Sequence, residues 1–225
     1  MLDYYMEQLK SMLYVAPVIL IAISFHELAH GYVSYKMGDP TPKLDGRLTL
    51  NPFKHLDLAG TLWLLVFHLG WAKPVRINTA YYKNKKKGII LVSLAGPAMN
   101  FLLAFISLLI FGLLLKYGNV YSSAIYIVEM LSYYSAVINI GLGLFNLIPI
   151  PPLDGSNVLG EIVPKVNEFY YKIRAYRSII LIVLLVSGIL SRPLGIANNV
   201  IIEGMWRLVK IILSIGTTGA TSVYI

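Results

Sequence analysis

The residues best suited to chemistry are His26, Glu27 and His30, in the run His26-Glu27-Leu28-Ala29-His30. On a helix, positions i and i+4 share one face, so the two imidazoles can grip one metal ion together. Glu27 stands three residues before His30 and flanks that face. There it can take a proton from a water that the metal activates. The run lies inside an apolar stretch, where an ionisable side chain is expensive and functional by default. Chance seldom produces such a motif in a chain with only 4 His. The pattern reads as a zinc-peptidase motif set in a bilayer.

Two histidines leave a catalytic zinc site incomplete, because such sites usually have three protein ligands and one open position. The chain has only 11 acidic residues. Asp154 follows the run Asn146-Leu-Ile-Pro149-Ile-Pro151-Pro152-Leu. The prolines stop a helix and favour extended backbone, and Gly155 permits a tight turn. That would set a carboxylate on a rigid kink near the membrane surface. Taken alone, Asp154 is a candidate ligand or simply a turn-forming Asp before Gly.

The elements that must position these residues are apolar helices. The 225 residues are 57% hydrophobic and 13% charged. A soluble domain is about half apolar and about a quarter charged. An all-α polytopic membrane protein is therefore expected. Spans are predicted from about Met12 to Lys36, Ile89 to Leu115 and Ala124 to Ile150. Ser178–Leu190 is short, and crosses if Arg177 and Arg192 snorkel. In Leu194–Ile215, Glu203, Arg207 and Lys210 form a polar stripe beside Ile202, Met205, Trp206 and Val209. That pattern suits an interfacial helix or a final span. The first residues lack a basic stretch and a cleavage site, so no removable signal peptide is expected. With no Cys, disulfides, thiolate ligands and a Cys nucleophile are excluded.

The segment Leu58–Gly70 decides the topology. Its 13 residues fall short of the roughly 17–25 that a spanning helix needs. If it dips in and returns, the basic loops 36–57 and 71–88 and the segment after Ile150 share one side. The net charge of +8 then reports orientation, and the positive-inside rule makes that side cytoplasmic. Lys83-Asn84-Lys85-Lys86-Lys87 is read as an anchor to anionic head groups, not a nucleic-acid site. His55 is read as an ordinary interfacial loop residue, and His68 as a hydrogen-bonding or water-gating group in the re-entrant piece. Glu129, near the start of a span, is read as structural, and Gly96 and Gly112 as helix-packing positions.

Several motifs in one order carry a further signal: FHELAHGYV at 25–33, NPFKHLDLAGT at 51–61, GWAKPV at 70–75, AGPAMN at 95–100 and NLIPIPPLDG at 146–155. In these the chain closely resembles the site-2 protease family of intramembrane zinc metalloproteases. The resemblance implies a three-helix catalytic core with a re-entrant or β-edge segment, over residues 1–165. One or two C-terminal membrane or interfacial helices would occupy 166–225. It implies one Zn2+ per chain held by His26, His30 and Asp154, with Glu27 as general base. Asn146 matches a position that supports substrate or oxyanion, although an Asn there can also cap or cross-link helices. Asn100 matches a motif position as much structural as catalytic. GWAKPV would begin a strand-like edge able to pair with an unwound substrate. No match is expected after about Lys165, and no PDZ-like or CBS-like regulatory domain.

The expected function is cleavage of transmembrane segments of single-span membrane proteins, at a multi-pass cell-membrane enzyme whose active site faces the cytoplasm. The rival is a metal-ion transporter whose His, Glu and Asp line an ion path. Transporters usually carry paired half-repeats, and this sequence shows none. A catalytically dead scaffold is disfavoured by the intact His26, Glu27, His30 and Asp154.

Overall fold

A computed structural model describes residues 2–57, 60, 73–118 and 122–215, with residues 2–13 as backbone only. Among these residues three helices are long and apolar enough to cross a membrane. The first, α1, is Leu2–Lys36, of which Tyr14–Lys36 has spanning character. A short helix α2 follows at Thr41–Leu44. The other two spans are α3, Lys85–Tyr117, and α4, Ser123–Asn146. Beyond them lie α5 (Asp154–Ile162), α6 (Pro164–Lys172), α7 (Arg177–Val186) and α8 (Ser191–Leu213). No strand occurs among the described residues.

Local sequence sets the boundaries. Asn84 caps α3 by accepting from the Lys87 N–H at 3.0 Å, which satisfies one of the four free donors at a helix start. Ser122 begins α4 in the same way through Ile125 N–H. The α4 helix stops at Asn146, earlier than the expected Ile150. Pro149 bars its predecessor from helical backbone, and the chain turns instead. Asp154 therefore opens a new helix, α5, rather than sitting on a kink. Pro164 occupies the first position of α6, where its missing N–H costs nothing.

The core between α3 and α4 is Ala104, Leu108, Phe111, Ala136 and Ile140, and α8 adds Ile202, Trp206 and Val209. Small residues let the backbones approach, as in other membrane bundles. The amphipathic α8 thus packs into the bundle through its apolar face. Its exposed face carries an ion pair between Glu203 and Arg207 at 3.6 Å. α7 and α8 meet at a 78° bend and together have the length and composition of a broken span or re-entrant pair.

The segment 73–78 carries no helix or strand and is held against α1 and the loops that follow it. Lys73 N–H donates to His55 O, Val75 N–H to Glu27 Oε2 and Asn78 N–H to Asp39 Oδ2, at 2.8–2.9 Å. Arg76 forks onto Asp45 with contacts of 2.8 and 2.7 Å. Glu27 of α1 and Asp39 and Asp45 of the following loops therefore pin the segment. Asp39 is fully buried. Burial pushes its carboxyl up, but bonds from Thr41, Asn78 N–H and Ser34 outweigh that and hold it below the ordinary carboxylate range.

His55 departs from its expected interfacial place. It is fully buried, with Nε2 bonded to Thr49 O at 2.8 Å. The buried Arg47 closes the same loop by donating to Lys54 O and Lys73 O. The loop is folded around its own polar groups, so its polarity does not place His55 outside. The re-entrant segment expected at 58–70, with His68, lies outside the described residues apart from Gly60.

Candidate metal centre

One helical turn brings His26 and His30 to the same buried face of α1. Their Nε2 atoms lie 2.9 Å apart. Asp154, in the first turn of α5, places Oδ2 at 3.3 Å from His26 Nε2 and 3.2 Å from His30 Nε2. The three atoms form a near-equilateral triangle. Two corners of a tetrahedron around an ion with bonds of about 2.0 Å are separated by about 3.3 Å.

The other ring nitrogens fix which atoms face the triangle. His26 Nδ1 meets Asn100 Oδ1 at 2.6 Å, and His30 Nδ1 meets the carbonyl of Val92 at 2.7 Å. Both partners can only accept, so each Nδ1 carries a proton, and in the neutral form of either ring the lone pair is left on Nε2. Asp154 Oδ2 is buried without a hydrogen-bond donor. With both rings neutral, three electron-rich atoms converge on one point. Two imidazoles, one carboxylate and the nearby Glu27 match the charge and donor types of a zinc ion.

Two glycines make the approach possible. A Cβ on Gly96 of α3 would stand 2.4 Å from His30 Nε2 and 2.6 Å from His26 Nε2. A Cβ on Gly155 would stand 2.1 Å from Leu147 O, so only glycine lets α5 start against the end of α4. The expected helix-packing role of Gly96 is thus packing against the imidazoles themselves. Tyr170 of α6 braces the intervening turn by donating to Pro149 O at 2.6 Å.

Glu27 is half-buried, and its Oε2 accepts from Val75 N–H at 2.9 Å. Asn146 ends α4 with its Nδ2 on Leu142 O at 3.0 Å, turned back along its own helix. Beside the centre lies a cavity of about 600 Å³ lined by Ile77, Thr79, Val92, Pro152, Asn157 and Tyr170, among others. Sequence reasoning missed Asn139 of α4. It is buried and bonded to Asn100 at 2.8 Å. Its one legible signal was an amide in an apolar span.

The model of peptidase family M50 matches residues 14–127 and 114–189. The chain is 40% identical over 198 residues to "Putative zinc metalloprotease YwhC" of Bacillus subtilis, covering 83% of this chain and 84% of that protein. It is 31% identical over 184 residues to "Putative zinc metalloprotease Rip2" of Mycolicibacterium smegmatis, covering 77% and 66%. It is 32% identical over 162 residues to "Putative zinc metalloprotease MJ0611" of Methanocaldococcus jannaschii, covering 69% and 73%. No solved structure matches significantly.

Proposed function

The chain belongs to peptidase family M50, the site-2 protease family, and on that premise we propose that it is a zinc endopeptidase cleaving membrane-spanning segments of single-span membrane proteins. The observation that carries this reading is the convergence of His26 Nε2, His30 Nε2 and Asp154 Oδ2 within 3.3 Å of one another. These three residues hold Zn2+. Bound there, zinc polarises the scissile carbonyl and lowers the pKa of water towards about 7.

Glu27 is the general base. It takes the proton of the attacking water and passes it to the leaving amine. The bond from Val75 N–H orients its carboxylate. A helical substrate hides its carbonyls in its own hydrogen bonds, so it must unwind before cleavage. Segment 75–78 receives the opened strand by β-addition. Val75 N–H is already bonded to Glu27 and Asn78 N–H to Asp39, and between them Ile77 is 37% exposed. The adjoining cavity has room for side chains of the opened segment. Asn146 supports the developing oxyanion once its amide leaves Leu142 O.

The protein is a multi-pass membrane protein, and the basic residues of 36–57 and 73–88 favour placing the site towards the cytoplasm. The family match gives the transporter reading no support. The test is cleavage of a single-span substrate by the purified protein and by Glu27→Gln. Loss of cleavage with zinc retained is expected; persistent cleavage by Glu27→Gln would remove the role given to this residue.

A further inference from the structure

Asn100 does not act on His26 alone. Its Oδ1 accepts from His26 Nδ1, while its Nδ2 donates to Asn139 Oδ1 at 2.8 Å and, more weakly, to Ala22 O at 3.4 Å. Asn139 in turn donates from Nδ2 to Ser135 O at 2.9 Å and to Ser135 Oγ at 3.3 Å. Ser107 Oγ closes the line by donating to Ser135 Oγ at 2.8 Å. The line joins α1, α3 and α4 through side chains of which Asn100 and Asn139 are 0% and 1% exposed.

An amide side chain has a donor end and an acceptor end, so such a line has a direction. The Ser135 carbonyl can only accept, so it turns the Nδ2 of Asn139 towards itself. Asn139 then presents Oδ1 to Asn100, and Asn100 presents Oδ1 to His26. That forces the proton of His26 onto Nδ1 and leaves Nε2 bare. With Asn100 reversed, its N–H would meet Nδ1, the ring would carry its proton on Nε2, and the metal-facing lone pair would be lost. In an apolar interior the reversed state has no water to relieve it.

We propose that Asn139 is a positioning residue that fixes the tautomer of His26 through Asn100, and thereby sets the zinc affinity of the site. The inference rests on the zinc site proposed above and deepens it. Groups that orient a metal-bound histidine typically change metal affinity about 10–100-fold when removed.

The test uses the full-length protein in detergent, with zinc affinity measured by chelator competition and the His26 tautomer read from its 15N shifts in the metal-free protein. Asn139→Leu removes the acceptor and should weaken zinc binding at least about 10-fold, with protonated Nε2 appearing at His26. Asn139→Ala carries the same expectation without added bulk. An uncharged Asp in Asn139→Asp offers a donor to Ser135 and an acceptor to Asn100, and should restore wild-type affinity and tautomer. Ser107→Ala leaves the Ser135 carbonyl in place and should change neither. Wild-type affinity in both Asn139→Leu and Asn139→Ala would overturn the proposal, as would an Asn139→Asp protein no better than these. If the wild type itself bound no zinc, the zinc reading would fail instead.

Discussion

Val75 donates its backbone N–H to Glu27 Oε2 at 2.9 Å. This bond ties the acid of the histidine motif to the segment that borders the cavity. In the proposed mechanism, base and substrate-binding edge are thereby one unit: a strand laid along 75–78 would be registered against the carboxylate proposed to activate water. The relationship makes the edge testable separately from the metal.

Ile77→Pro should lower substrate cleavage at least about 10-fold, the cost of roughly 1.4 kcal/mol of lost strand pairing, while leaving zinc content unchanged. Proline fixes φ and removes a backbone N–H, which disrupts a regular pairing edge. Arg76→Pro is a less clean test, because it also breaks the fork onto Asp45. Cleavage assays alongside zinc analysis check both; undiminished turnover of Ile77→Pro would remove the edge from the mechanism.

Gly96→Ala should abolish tight zinc binding. The added Cβ would lie within 2.6 Å of both Nε2 atoms, and α3 would have to move away from α1. Forcing a methyl into a packed interior typically costs about 1–3 kcal/mol. Zinc titration of the purified variant, with thermal unfolding in parallel, reads both effects.

Asp39 gives the protein an acid-labile joint. Its carboxyl is held below the ordinary value of 3.8. The stability it contributes is therefore fully present above that value and is lost as pH falls through the lowered folded-state value. Unfolding followed from pH 7 downward should show this loss in the wild type and a flatter acid limb in Asp39→Asn. Asp39→Ala strands Thr41 N–H and Asn78 N–H and takes one of two partners from Ser34 Oγ, which keeps the Tyr82 hydroxyl. At neutral pH it should cost about 1–3 kcal/mol.

The local parts of this site are legible in the sequence because helical geometry alone joins them. His26, Glu27 and His30 need only one turn of α1. Asp154 needs the whole bundle, and its own neighbours speak more for a turn; only the motif order from residue 25 to 155 points to a ligand. Asn139 is less visible still. Its partner Asn100 lies 39 residues away, and nothing in either segment predicts that two spans bring these amides together. His55 misleads for the opposite reason. A polar loop suggests solvent, but Arg47 and the backbone of Lys73 close over it. The end of α4 reads too late from the sequence because apolar residues continue past Asn146, although Pro149 already forbids the helix.

The most direct test of the central claim is zinc per chain in purified wild type, Asp154→Ala and Glu27→Gln, measured beside cleavage of a single-span substrate. About one zinc is expected in wild type and in Glu27→Gln, little in Asp154→Ala, and cleavage by the wild type alone. Full zinc in Asp154→Ala, or cleavage by Glu27→Gln, would contradict it.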